Sequence, residues 1–189
     1  MPSVILASGS PRRSDILATA GFTFTVIKPD VDEVYPSTMP VREVPAYLAG
    51  IKMDAAMQMV NQDAIVITAD TVVILDEQII GKPKDAEDAF SILRRLSGNM
   101  HLVVSGVCMQ YKDVRYDIDV TTKVYFDVLT DTEIRNYLET CKPYDKAGAY
   151  AIQEWIGMNK ISRIEGDYYN VVGFPMSKIY PVLTALLSM

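Results

Sequence analysis

Positive charge is in short supply in this chain. Lys and Arg together number 18 against 24 Asp and Glu, leaving a net charge of −6 and a pI near 4.8. Such a balance gives no general attraction for DNA, RNA or an anionic membrane surface. Any polyanion it binds must therefore be gripped by a local cluster of basic groups. Histidine is scarcer still: His101 stands alone, which excludes a multi-histidine metal site and any Ser-His-Asp triad not built on it. The two cysteines, Cys108 and Cys141, match no zinc or redox spacing and read as free thiols in a reducing cytosol. No apolar run reaches the ~18 residues of a membrane helix; Ala64–Thr68 is soon followed by Asp70. The segment Met1–Ser10 is too short for a signal peptide's apolar region, and Arg12 and Arg13 follow it rather than precede it. Repeats, low-complexity tracts and linkers are missing too.

What is present is a globular composition, with 49% hydrophobic and 22% charged residues among 189. Set against a typical domain of ~150 residues, that length reads as one domain with room for two lobes. Val4–Ala7 is a short apolar run expected to form a buried strand. Ser10, Pro11 and Gly21 then bracket a helix as N-cap, first residue and terminator. The alternation Phe22, Phe24, Val26 predicts a half-buried strand, and Val44–Val60 a helix with Leu48, Ile51, Ala55 and Met59 on one face. Ala64–Leu75 is strongly β, an apolar run interrupted by Ala69-Asp70-Thr71, and a strand from Gln78 follows the turn Asp76-Glu77. Asp85 caps a helix to Leu96; strands cover His101–Tyr111 and Asp117–Asp127; Thr130 or Asp131 caps a helix through Leu138. An irregular Gly-containing stretch is expected from Pro143 to Gly173, then a helix from Pro175 to Leu187. Strands and helices intermix, so the class is α/β or α+β around a mixed sheet.

Four places carry residue types that packing explains poorly. Ser8-Gly9-Ser10-Pro11-Arg12-Arg13 leads into a helix start, where unpaired N–H groups and the positive dipole end attract anions. Arg12 and Arg13 in a first helical turn oppose that dipole, yet suit phosphate. The plainer alternative is a capped helix with two solvated arginines. Asp70, inside an apolar β run, must be hydrogen-bonded, metal-bound or facing a cleft, or else caps a local turn. The acidic turn Asp30-Val31-Asp32-Glu33 is weak alone but completes a hard-oxygen site for Mg²⁺ or Mn²⁺ when joined to Asp70. Lys82, held between Gly81 and Pro83, is a rigidly carried charge, although the P-loop pattern is absent. Elsewhere, His101 and Cys108 read as core, Cys141 as a helix-end residue without a partner, and the ten methionines as packing. Lys52 borders an apolar helix face or faces water.

Taken together, these segments resemble the Maf family. The matching residues are Ser8-x-Ser10-Pro11-Arg12-Arg13, Asp32-Glu33, Ala69-Asp70-Thr71-Val72-Val73, Gly81-Lys82-Pro83, Lys146-Ala147-Gly148-Ala149-Tyr150-Ala151-Ile152-Gln153 and Val171-Val172-Gly173-Phe174-Pro175. All six occur in order between residue 3 and about 185. The resemblance implies an elongated mixed sheet flanked by helices, two lobes and a central cleft, similar to the inosine triphosphate pyrophosphatases. It implies cleavage of a nucleoside triphosphate to the monophosphate and pyrophosphate with a divalent metal (Mg²⁺, Mn²⁺ or Co²⁺). The family's catalytic aspartate falls on Asp70. Its other polar positions fall on Ser8, Arg12, Arg13, Glu33, Lys52, Lys82 and Gln153, with Arg12, Thr71 and Gln153 tied to substrate choice. The form Ala149-Tyr150-Ala151-Ile152-Gln153 resembles the branch acting on dTTP and UTP, and differs from the branch acting on 7-methyl-GTP. Ser105, Met53, Phe174 and Asp167 depart from the usual family residues, and Asp167 is the departure expected to alter the charge of the cleft.

The combined expectation is a single domain, residues 1–189, acting in the cytoplasm on dTTP and UTP, with CTP or modified pyrimidine nucleotides as further candidates. Ser8, Ser10, Arg12, Arg13, Lys52, Thr71, Lys82 and Gln153 would bind substrate, while Glu33 and Asp70 would hold metal, Asp70 serving as base, ligand or both. A homodimer is carried over from the resemblance; nucleic acid and membrane are not expected partners. Two rivals stay in view: a nucleotide-sensing regulator of cell division that does not cleave, and a nucleic-acid binder using Arg12 and Arg13.

Overall fold

The computed structural model describes residues 2–60 and 63–189; Met1, Asn61 and Gln62 lie outside the described residues. The first run, Ser3–Ala7, forms strand β1, followed by helix α1 (Pro11–Thr19) and strand β2 (Thr25–Ile27). Helix α2 (Val44–Met57) precedes the long strand β3 (Ala64–Leu75) and short β4 (Gln78–Ile80). Helix α3 (Ala86–Leu96), strands β5 (Met100–Tyr111) and β6 (Val114–Phe126) and helix α4 (Asp131–Cys141) follow. The chain closes with α5 (Trp155–Lys160), β7 (Ile161–Glu165), α6 (Tyr168–Val172) and α7 (Met176–Leu187).

Seven strands make one mixed sheet in the order β2-β1-β3-β5-β6-β7, with β4 paired to β3. Strand β1 runs parallel to both β2 and β3, while β3/β4 and β6/β7 are antiparallel. The β3–β4 connection is a two-residue turn with positive φ at both Asp76 and Glu77, the geometry that matches strand twist in tight hairpins. Helix starts follow their sequence signals at two places. Asp85 accepts a bond from the Asp88 N–H at 2.8 Å, and Thr130 forms a reciprocal capping box with Glu133.

Several expectations are corrected. Strand β2 begins only at Thr25, leaving Phe22 and Phe24 ahead of it. Helix α2 stops at Met57 and buries Leu48, Ala49, Met53 and Ala56, while Met59 is exposed. Its apolar residues surround the axis, so periodicity alone could not choose the buried stripe. Strand β3, by contrast, keeps its expected bounds and runs through Asp70, because the flanking Val, Ile and Ala residues sustain the ladder across it. The stretch 143–173 is not irregular: two helices and β7 lie within it. Packing does not account for all the methionines, since Met59, Met100, Met158 and Met189 are exposed.

The chain divides into two compact units. The first comprises Met1–Thr71, Ser105–Val120 and Gly173–Met189, the second Val72–Val104 and Thr121–Val172. The first has a core of Ala7, Ala49, Met53, Ala56, Val66 and Cys108. The second is built around Leu93, Leu96, Val124, Leu129, Ile134 and Ile156. Among the described residues, no helix is long and apolar enough to cross a membrane.

Candidate active site

The alternation of β3 places Thr68 and Asp70 on one side of the strand. The Thr68 hydroxyl donates to the Ala49 carbonyl of α2 at 2.8 Å. Residues three apart share a helix face, so Lys52 follows Ala49 and meets Asp70 two positions after Thr68. The Lys52 ammonium lies 2.6 Å from Asp70 Oδ1 and 2.7 Å from Glu33 Oε1. One cation thus joins a carboxylate from the buried strand with one from the acidic loop. Close approach of α2 to the sheet makes this reach feasible. A Cβ on Gly106 of β5 would sit 2.4 Å from the Ala46 backbone, so only glycine fits there.

The neighbours of Asp70 along β3 are held by Arg13. Its Nη1 donates to the Ala69 carbonyl at 2.7 Å and to Ser8 Oγ at 3.2 Å. Its Nη2 donates to Thr71 Oγ1 at 3.2 Å, and Nε to the Gly173 carbonyl at 3.0 Å. The guanidinium therefore brackets Asp70 from both sides and ties it to the turn before α1. Thr71 Oγ1 also lies 2.8 Å from Ser105 Oγ, so the serine that departs from the family pattern still meets this threonine. Gly173 has φ of +110°, a conformation that side-chain-bearing residues resist.

Ser8 Oγ accepts the Ser10 N–H at 3.2 Å, folding the turn back on itself. Ser10 occupies the N-cap of α1, but its side chain makes no capping bond; the expected capping role is absent because the turn is closed through Ser8 instead. No acidic residue stands in the first turn of α1, leaving its dipole end to Arg12 and Arg13. Arg12 lies close enough to lower the pKa of Arg13, after the larger effect of burial, while Asp70 and Glu33 oppose that shift. The arginine pair and the carboxylate pair thus share one neighbourhood.

Electrostatics set Asp70 apart. Burial pushes its carboxyl above the usual range, the Lys52 charge and hydrogen bond and the Arg13 charge pull it back, and Glu33 adds to the rise. Burial wins. The carboxylates also suit a divalent cation: they are hard oxygen donors already gathered around one positive charge. Mg²⁺ typically takes one or two carboxylates and completes its shell with substrate phosphates and water. Among the described residues no group of three metal-ligating side chains occurs.

Lys82 and Gln153 belong to the second unit, and both are exposed. Next to Lys82, the Gly81 carbonyl accepts the Gly148 N–H at 3.1 Å, five residues before Gln153. His101 is buried, with Nε2 2.7 Å from the Tyr150 hydroxyl. Its Nδ1 has no partner among the described residues, and burial takes its pKa down to about 4. The Asp167 carboxylate accepts the Asn170 N–H at 3.1 Å, a local capping contact at the start of α6. Cys141 is not isolated, since the Trp155 backbone bonds to it and Glu154 raises its pKa after burial. Sequence reasoning named Ser105 only as a departure from the family pattern and passed over Tyr137 and Glu154 altogether.

A model of the family described as Maf-like protein matches residues 3–186, and the chain belongs to this family. Among similar relatives, one from Cytophaga hutchinsonii is 43% identical over 98% of this chain and 84% of its own length. One from Bacteroides thetaiotaomicron is 42% identical, covering 97% of this chain and 95% of its own. One from Porphyromonas gingivalis is 44% identical, covering 94% and 90%. Each of these relatives is named a dTTP/UTP pyrophosphatase.

Proposed function

We propose that this chain is a nucleoside triphosphate pyrophosphatase that hydrolyses dTTP and UTP. The observation that carries the reading is Asp70, a buried carboxylate in mid-strand, joined to Glu33 through Lys52 and bracketed by Arg13. Buried carboxylates held by specific charge partners concentrate at functional sites. The names borne by the relatives supply the substrate class.

In this reading the N-terminus of α1 and Arg12 hold phosphate oxygens, with Ser8, Ser10 and Thr71 shaping the turn and strand beneath them. Arg13 keeps Ala69 and Thr71 fixed about Asp70 and adds its charge. Asp70 orients a water molecule and takes its proton while the water oxygen bonds to the α-phosphorus. The bridging bond to the β-phosphate breaks, and pyrophosphate leaves with the electron pair. Lys52 keeps Asp70 ionised and ready for that proton. Glu33 and Asp70 are the residues that would hold a divalent cation, which when bound supplies charge neutralisation on the triphosphate. Lys82 and Gln153 are assigned to substrate on the strength of the family motifs. Gln153 offers both a donor and an acceptor, as the imide edge of thymine or uracil requires. The same resemblance assigns both units to one functional domain, a cytoplasmic setting and a homodimer.

The deciding experiment measures pyrophosphate release from natural and modified nucleoside triphosphates, with and without Mg²⁺, Mn²⁺ or Co²⁺. Metal-dependent release fastest with dTTP and UTP is expected. Nucleotide binding without release under every metal would replace this reading with that of a nucleotide sensor.

A further inference from the structure

The segment carrying Gln153 is closed across its ends by a single phenol. Tyr137 lies on α4 and is 2% exposed, so its hydroxyl must find partners inside the protein. It finds one at each end of a tight turn. The hydroxyl donates to Glu154 Oε2 and accepts the Ala151 N–H at 3.2 Å. The turn itself is closed by the Glu154 N–H, which donates to the Ala151 carbonyl at 3.1 Å. Ile152, within it, is buried and Gln153 is exposed, so one side chain anchors the turn and the other projects from it.

Glu154 makes a second point. It occupies the N-cap position of α5 but makes no side-chain capping bond. Its carboxylate turns instead to Tyr137, and its other oxygen lies 3.5 Å from the Lys146 ammonium. Lys146 also pairs with Asp145 at 2.8 Å. An acidic residue at a helix start normally serves that helix; here it serves the turn before it. Burial and Glu154 hold the phenol protonated, hence always a donor.

We infer that Tyr137, with Glu154, is a positioning residue that fixes the direction of Gln153 and so sets selectivity for the pyrimidine base. This rests on the proposed reading of Gln153 as the base-recognising residue. An exposed side chain on a loosely held turn can shift its amide along the base edge, which would let it meet cytosine as readily as thymine. A turn pinned at both ends limits that freedom, and tightly placed polar groups are what make base discrimination steep.

The test uses the full chain and three variants, assayed by pyrophosphate release with dTTP and dCTP. Tyr137→Phe keeps the ring and removes the hydroxyl. It is expected to raise KM for dTTP by ~3–10-fold, the worth of one hydrogen bond, with kcat changed less. The dTTP to dCTP ratio of kcat/KM should fall toward that of Gln153→Ala. Glu154→Gln, which keeps an acceptor for the phenol, should retain most of the ratio. If Tyr137→Phe fails to fold, Glu154→Ala carries the same expectation. An unchanged ratio in Tyr137→Phe, with a lowered one in Gln153→Ala, overturns the inference alone; so does an equal loss of kcat with both nucleotides. An unchanged ratio in Gln153→Ala overturns the base-reading role and this inference with it.

Discussion

At the scale of single residues, Asp70 is where stability and chemistry pull against each other. Its carboxyl is raised by burial more than Lys52 and Arg13 lower it. An acid whose folded pKa exceeds its unfolded value near 3.8 binds its proton more tightly when folded, so stability falls as pH rises between the two values. At neutral pH Asp70 therefore costs stability, and Asp70→Asn should not lower the melting temperature. Its turnover should drop by ~10²–10⁴-fold, the contribution of a general base; a melting curve and a rate assay together check both halves. Since a base must be ionised, the acid limb of kcat/KM should lie above the ordinary carboxylate range. Lys52→Met removes the main force lowering that pKa, so the limb should move to higher pH, read from a pH–rate profile.

At the scale of elements, the site depends on how closely α2 approaches the sheet. Gly106 leaves no room for a Cβ beside Ala46 and Pro45. Gly106→Ala must push the helix away, with an expected loss of ~1–3 kcal/mol in urea unfolding, as overpacking typically gives. Activity should fall with it, because Lys52 rides on the same helix. Thr130→Ala offers a contrast. It removes the capping box of α4, with an expected loss of ~0.5–2 kcal/mol, while the contacts of Lys52 with Asp70 and Glu33 are untouched.

At the scale of the whole molecule, a net charge of −6 opposes a triphosphate everywhere except at a local cationic site, so specificity begins with charge placement. Metal dependence should be just as local. Glu33 and Asp70, the carboxylates assigned to the cation, are already joined through Lys52 without it. EDTA is thus expected to abolish pyrophosphate release while leaving the far-UV circular dichroism and melting temperature unchanged. A large drop in melting temperature would mean that a metal supports the fold itself.

Much of the local structure was written in the chain: the caps at Asp85 and Thr130, the turn at Asp76-Glu77, the helix beginning at Pro11 and the β run around Asp70. These are short-range effects, set by backbone conformation and by side chains reaching a few residues along. The six ordered motifs also announced the family. What the chain could not reveal was which atoms those residues would touch. Arg13 looked like a free phosphate ligand, yet its guanidinium spends four contacts on Ser8, Ala69, Thr71 and Gly173. Lys52 could equally have faced water, and nothing in the sequence singled out Tyr137. Their roles arise from pairs far apart in sequence, 18 residues between Lys52 and Asp70 and 160 between Arg13 and Gly173. Periodicity reports which face of an element is buried; only folding brings two distant faces together and decides which charge meets which.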